Sequence, residues 1–246
     1  MKQLIIGSNG EVGSALVSIF KKSFKEIYEC DVNTILDKKI KYDIIHITFP
    51  YSEYFSSYVL DYALQFGIKE VIVIIHSTVL PNTTKDLSNK INNVIYSAIR
   101  GKHPNLITDL LKYTKYFASE FTESLDITER IFKIAGFKTK IVNDCTSLEF
   151  AKHYSTLLFG LSLIATQEIY EAKKEFNINP GIIKDFVNEV GKYSGDRKIF
   201  QYIEKIGGHC VIENAILFQK YSNLAKYVIM KNKKFGDKYK DKYSLE

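Results

Sequence analysis

Three glycines near the start of the chain have a spacing that suits phosphate binding. Ile5-Ile6-Gly7-Ser8-Asn9-Gly10-Glu11-Val12-Gly13 carries the pattern G-x-x-G-x-x-G between a strand-like run and a helix-like one. In such a loop the first glycine permits a tight turn, the second lets a pyrophosphate approach the backbone, and the third lets the helix pack on the sheet. The helix N-terminus then offers unpaired N–H groups to an anion. A strand before and a helix after are the context that gives the pattern meaning; without a ligand it is only a glycine turn. Gly7, Ser8, Asn9, Gly10, Glu11, Val12 and Gly13 are therefore the expected phosphate-binding residues. Asp31 ends the second strand-like run, 18 positions after Gly13. That is near the offset of about 20 residues at which a carboxylate accepts from ribose hydroxyls. A carboxylate there repels a 2′-phosphate, so NAD is favoured over NADP, while Lys38 and Lys39 nearby keep NADP open.

Three later segments also have side chains suited to chemistry. Ser77-Thr78-Val79-Leu80-Pro81-Asn82-Thr83-Thr84 follows the most strongly β-branched run. Glu149-Phe150-Ala151-Lys152 lies early in a long helical stretch, and Gly207-Gly208-His209-Cys210 precedes a later one. In this order, behind a dinucleotide loop, they resemble the UDP-glucose/GDP-mannose dehydrogenases of the 6-phosphogluconate dehydrogenase-like group. The family pattern S-T-V-x-P-G-T-T is matched except that Asn82 replaces Gly. E-x-x-K is matched by Glu149 and Lys152, and G-G-[SH]-C by Gly207–Cys210. The resemblance spans the family's first two domains. The C-terminal nucleotide-sugar-binding domain has no counterpart, so a smaller substrate or a site completed by a second chain is expected.

The resemblance implies an NAD-dependent oxidoreductase of a sugar-like alcohol or aldehyde, taking a sugar or nucleotide sugar. It implies that Cys210 attacks an aldehyde formed by a first hydride transfer, and that a second transfer gives a thioester released by water. Such chemistry needs a thiolate, favoured at a helix N-terminus and beside cations. Lys152 would stabilise an oxyanion. Thr78 would sit at the carboxyl edge of the sheet near the nicotinamide, Pro50 against the cofactor, and His209 in the catalytic loop. Cys30 and Cys145 have no motif around them and read as structural.

The chain also departs from the family. Thr156 stands where the family has Asn, four residues past the lysine. Asn214 stands where it has an Asp that assists water, four past the cysteine. Ser97-Ala98-Ile99 replaces Ser-Pro-Glu. An amide or an alkyl chain cannot act as a general base. His103, in Arg100-Gly101-Lys102-His103, and His153 beside Lys152 are candidates to substitute, since histidine titrates near neutrality. Arg100 and Lys102 are candidate anchors for an anionic substrate. Two other readings stand beside this one. One is a single-step dehydrogenase or reductase of the hydroxyacid or prephenate-like type, which needs no cysteine. The other is a catalytically degenerate protein that binds NAD.

The elements that must position these groups follow from periodicity. Strand-like runs at Lys2–Ser8, Glu26–Asp31, Tyr42–Phe49, Lys69–Ile75, Asn93–Ser97 and Lys138–Val142 alternate with helical spacing at Glu11–Lys22, Ser52–Phe66 and Leu125–Ala135. Strands separated by helices predict a Rossmann-type α/β fold, a doubly wound and mostly parallel sheet. After about residue 145 the pattern becomes all-helical. Ser147–Phe176 is one long central helix without proline, and Gly181–Tyr193 and Glu213–Met230 follow. The expected division is a NAD-binding domain over 1–145, a helical substrate and dimerisation domain over 146–230, and a solvated basic tail over 231–246. Tyr154–Ile164 is apolar almost all round, which predicts burial, including against a second copy in a homodimer.

Composition supports these expectations and excludes others. The chain has 246 residues, 46% apolar and 25% charged, with 13 Gly, 4 Pro and 3 Cys. Those values exclude disordered, collagen-like and disulfide-scaffold classes. No apolar run is long enough to span a membrane, and three cysteines without a paired pattern suit the cytoplasm. The net charge of +6 is partly the lysine-rich tail. No zinc-finger spacing, RNA-recognition signature or basic helical stripe points to nucleic acid, and no metal-ligand spacing is present.

Overall fold

The computed structural model describes residues 1–34, 36, 39–102, 104–193, 205–207, 210–220 and 223–240. The chain divides into two compact units, Met1–Lys152 and His153–Glu246.

The first unit is a sheet covered by helices on both faces. Its elements run β1 (Gln3–Ile6), α1 (Glu11–Phe20), β2 (Ile27–Cys30), β3 (Ile44–Ile47), α2 (Phe55–Phe66), β4 (Ile72–Ile75), α3 (Thr83–Ser88) and β5 (Val94–Tyr96). Then come α4 (Leu106–Lys112), β6 (Lys115–Ala118), α5 (Thr122–Ile134) and β7 (Thr139–Val142). The strand order is β2-β1-β3-β4-β5-β6-β7. The predicted doubly wound, mostly parallel sheet is what the chain forms.

Continuous apolar strands make this possible, because every inner strand has two faces to bury. Ile5, Ile44, Ile74 and Ile95 face α1 and α5, where Leu16, Phe20 and Phe132 cover them. Leu4, Ile6, Ile45 and Val73 face the other way, onto Phe55, Val59 and Leu87 of α2 and α3. Each such buried side chain contributes about 1.5–3 kcal/mol relative to exposure. Gly67, with φ +102°, ends α2 where the sequence predicts a stop.

Strand β6 is absent from the sequence reading. It is the antiparallel member of the sheet, and it shares one residue pair with β5, Tyr96↔Ala118. Beyond it β6 and β7 pair in parallel through four residue pairs.

The long helix α6 (Cys145–Phe176) begins in the first unit and continues into the second. There it is followed by α7 (Pro180–Tyr193), α8 (Val211–Phe218) and α9 (Asn223–Lys240). Two expectations change. The single helix predicted over Glu213–Met230 is two, broken after Phe218. The stretch from residue 231 is not a free tail up to Lys240, because α9 runs through it. Asn232 shows why. It is buried, and its side chain clamps the backbone of Ile206, accepting from the N–H at 2.8 Å and donating to the carbonyl at 3.1 Å. The expectation for α6 holds on one side only. Leu157, Leu163 and Ile164 are buried against Val211, Phe218 and Val228, while Phe150, Tyr154, Leu158 and Phe159 are exposed. Among the described residues no helix is long and apolar enough to cross a membrane.

Candidate functional site

The chain reverses its direction of travel across the sheet between β1 and β3, and the glycine loop leaves β1 at that point. Open α/β sheets bind ligands in the crevice at such a reversal. Gly7 has φ +88°, and a Cβ there would meet Thr48 Oγ1 at 2.8 Å and the Phe49 nitrogen at 3.0 Å. Gly7 N–H and Ser8 N–H both donate to the Cys30 carbonyl, at 2.8 and 3.1 Å, which lays the loop over the end of β2. A Cβ on Gly13 would fall on the Gly7 carbonyl oxygen and within 2.7 Å of Ser8 Cα. This is the close helix approach expected of the third glycine.

Gly10 is different. It is the N-cap of α1, and a Cβ there would meet only the Gly7 oxygen at 3.4 Å. Packing within the chain therefore does not require glycine at position 10. No side chain caps α1, and Asn9, Gly10 and Glu11 are exposed, with Ser8 buried and Val12 half-buried. The space a side chain would take lies over the first-turn N–H groups, where a phosphate fits.

Asp31 follows β2 directly. Its Oδ2 accepts from the Asn9 N–H at 2.8 Å and its Oδ1 from the Val32 N–H at 2.9 Å. Each oxygen keeps a further lone pair, so the carboxylate can brace the loop and still accept from ribose hydroxyls. Lys38 lies outside the described residues, and Lys39 is exposed.

The carboxyl edges of β3 and β4 are tied together beside this loop. Ser77 Oγ donates to the Phe49 carbonyl at 2.6 Å. Pro50, just beyond, is exposed, and Thr78 is half-buried. Asn82 has φ +76°, in the left-handed region. That explains the one departure in the threonine motif, since Asn is the residue after Gly that best tolerates this conformation. Glu149, fully buried on α6, holds the same turn. Its Oε2 accepts from the Asn82 N–H at 2.7 Å, and its Oε1 from the Thr84 N–H at 2.8 Å and the Thr84 hydroxyl at 2.6 Å. Burial raises its carboxyl to about 7, against the pull of those hydrogen bonds. Lys152, half-buried, is three residues further along the helix, on the same side as Glu149. Glu149 thus fixes the threonine loop and the start of α6 as one body.

Cys210 belongs to the second unit. It is exposed and forms the N-cap of α8. Gly160 of α6 lets this helix end approach, as a Cβ there would meet Val211 Cγ1 at 2.8 Å. Asn214, one turn into α8, donates from Nδ2 to Thr156 Oγ1 at 3.4 Å. The other two cysteines are buried. Burial pushes the Cys145 thiol to about 12 and raises that of Cys30. Gly208 and His209 lie outside the described residues.

The residues expected to meet substrate fare unevenly. His153 is buried, stacked on Phe218 at 4.5 Å between ring centroids, and packs as a core residue. Arg100 is exposed but engaged. Its Nη2 donates to the Thr114 carbonyl at 2.7 Å, and its guanidinium lies over the rings of Tyr116 and Tyr113. Lys102 is exposed, with its backbone N–H on Asp109 Oδ2 at 3.1 Å. His103 lies outside the described residues. Among the described residues no three His, Cys, Asp or Glu side chains cluster as metal ligands. The sequence reading missed His46, His76 and Lys115, a buried polar group below the carboxyl edge. No local signal marks them, because each is a lone residue in or beside an apolar strand.

No protein-family model and no curated protein matches the chain. Solved structures do. UDP-D-ManNAc dehydrogenase from Pyrococcus horikoshii superposes with a TM-score of 0.81 at 14% identity, over 96% of this chain and 69% of that one. The fold is that of the nucleotide-sugar dehydrogenases. UDP-glucose dehydrogenase from Pyrobaculum islandicum gives 0.81 at 13%, over 95% and 68%. The fold is also shared with Mycobacterium tuberculosis 3-hydroxyisobutyrate dehydrogenase, at 0.70 and 9%, over 100% of this chain and 96% of that one.

Proposed function

We propose that the chain is an NAD-dependent oxidoreductase acting on a hydroxyl or carbonyl group of a small, sugar-like molecule. The open cradle at Gly10, over the uncapped start of α1 and beside the Asp31 carboxylate, carries this reading. Gly7–Gly13 would hold the pyrophosphate and Asp31 the ribose hydroxyls, with Pro50 and Thr78 lining the nicotinamide end. The nicotinamide supplies a hydride acceptor or donor. Lys152 is the group we assign to the substrate oxygen, moving its proton or stabilising its charge. The fold shared with nucleotide-sugar and 3-hydroxyisobutyrate dehydrogenases supports a dehydrogenase.

Cys210 favours a second, two-step version. An exposed thiol at the N-cap of an eight-residue helix suits attack on an aldehyde. The thiol adds to the carbonyl carbon, and the hemithioacetal gives up a hydride and a proton to become a thioester. Water then breaks the C–S bond, releasing acid and thiol. The apolar stripe of α6 supports a homodimer in either version.

Fluorescence titration with NADH, followed by screening NAD reduction against alcohols, aldehydes and nucleotide sugars, tests these readings. Turnover lost in Lys152→Ala supports the first, and sensitivity to Cys210→Ala supports the second. Binding without turnover on any substrate points to a degenerate NAD-binding protein. Absence of NADH binding would falsify the whole assignment.

A further inference from the structure

Four buried side chains form a hydrogen-bonded chain through the core of the first unit. Lys115, 3% exposed at the start of β6, places its Nζ 2.6 Å from the Ser97 carbonyl, 3.1 Å from the Ala98 carbonyl and 3.2 Å from His76 Nδ1. His76 Nε2 lies 3.0 Å from His46 Nδ1, and His46 Nε2 lies 3.1 Å from Gln3 Oε1. Phe20 and Phe132 enclose the two imidazoles.

One placement of protons satisfies every contact. The Lys115 ammonium donates its three protons to Ser97 O, Ala98 O and His76 Nδ1. His76 then donates from Nε2 to His46, and His46 from Nε2 to Gln3. Both imidazoles are neutral. Burial and then Lys115 lower them, His46 to about 3 and His76 well below its usual value.

The location gives this chain its interest. Strands β5 and β6 share a single main-chain pair, and side chains complete the seam. Ser97 Oγ donates to Tyr116 O at 2.9 Å, and Arg100 reaches Thr114 O. Lys115 binds the two carbonyls just past β5, and through His76 it holds the residue directly before Ser77 and Thr78. The groups that face it are His76 beyond β4, His46 on β3, Arg100 beyond β5 and Lys152 on α6. Among the described residues no ion pair gives Lys115 a carboxylate partner. Burial, then Lys152 and Arg100, push its ammonium well below the usual lysine range.

We propose that Lys115 is a positioning residue: its buried ammonium pins the chain leaving β4 and β5, and its fixed positive charge acts on Lys152. Like charges at close range disfavour each other's protonated form, and a lysine so tuned is a better proton acceptor near neutrality. The inference rests on reading Lys152 as the acid–base group, but its test does not.

The test is a lysine titration without substrate. Reductive 13C-methylation labels accessible lysines, and the Lys152 signal is the one absent from Lys152→Arg. In Lys115→Met the midpoint of that signal is expected to rise by about one pH unit, a tenfold change in proton affinity. Lys115→Arg, which keeps the charge, should leave it where wild type has it. An unchanged midpoint in Lys115→Met, or an equal rise in Lys115→Arg, overturns the proposal. A 15N spectrum of the wild-type histidines covers the case in which the variants do not fold. His46 and His76 should both be neutral and Nε2-protonated from about pH 5 to about pH 9. A charged ring or an Nδ1-protonated ring in either overturns the proposal. NADH titration of the same samples keeps the two questions apart, since loss of binding in wild type defeats the dinucleotide reading and leaves the Lys152 midpoint readable.

Discussion

The amide of Asn214 donates to the hydroxyl of Thr156, joining α8 to α6 four residues past Cys210 and four past Lys152. Neither group can take a proton from water at neutral pH. Any thioester formed at Cys210 should therefore be released slowly. With an aldehyde substrate, rapid mixing should show a burst of NADH of at most one equivalent, then slow turnover. Asn214→Asp should raise the slow rate by about 10²-fold, the usual scale of general-base assistance. Cys210→Ala should abolish the burst, and a burst that survives this change would show that the thiol takes no part.

The three glycines should separate in their effects. Gly13→Ala collides with the Gly7 carbonyl and the Ser8 backbone. It should cost about 1–3 kcal/mol of stability, the range for overpacking, and abolish NADH binding as well. Gly10→Ala has room within the chain. It should leave thermal unfolding within about 0.5 kcal/mol of wild type yet weaken NADH binding at least about tenfold. Equal NADH affinity in Gly10→Ala and wild type would remove the cradle from the argument.

Glu149 should give the fold a pH dependence of defined sign. Its folded value, about 7, lies above the unfolded value of about 4.3. The folded state therefore binds more protons between these limits, and stability should fall as pH rises through that window, by on the order of 3 kcal/mol in all. Glu149→Gln should flatten this slope in denaturant unfolding. Lys115 works in the opposite sense. Its folded value is depressed, so its contribution should recover as pH climbs from that value towards about 10.4. A slope unchanged in Glu149→Gln would contradict the burial of a titrating carboxylate there.

The stripe Phe150, Tyr154 and Leu158 repeats every four residues along α6 and is exposed. Light scattering should report a dimer for wild type. Tyr154→Glu with Leu158→Glu should give a folded monomer, with circular dichroism unchanged. A wild-type monomer at micromolar concentration would leave the stripe without the partner assigned to it.

Much of the fold was legible because short-range rules govern it. The glycine spacing, the β-branched strands and a proline-free Ser147–Phe176 each specify an element locally. What escaped depends on distant partners. Lys115-Tyr116-Phe117-Ala118 has no strand pattern, since its leading lysine is satisfied only by carbonyls past β5. His46 and His76 look like isolated polar residues in apolar runs until parallel pairing stacks them 5.3 Å apart. Asn232 sits among lysines that read as solvated, and its burial is visible only once Ile206 folds onto it. The candidate site divides the same way. Its loop is written in spacing, whereas the roles of Glu149 and His153 come from what packs against them.

The single pair joining β5 to β6 has a consequence for how the sheet opens. Five strands form a continuous parallel ladder, and β6 with β7 forms a second, held to the first mainly by side chains from Ser97, Arg100, Lys115 and Ser119. Backbone cooperativity stops at that line. Amide hydrogen exchange should accordingly resolve two subglobal units within one sheet, with β6, α5 and β7 exchanging together before β1, β3 and β4.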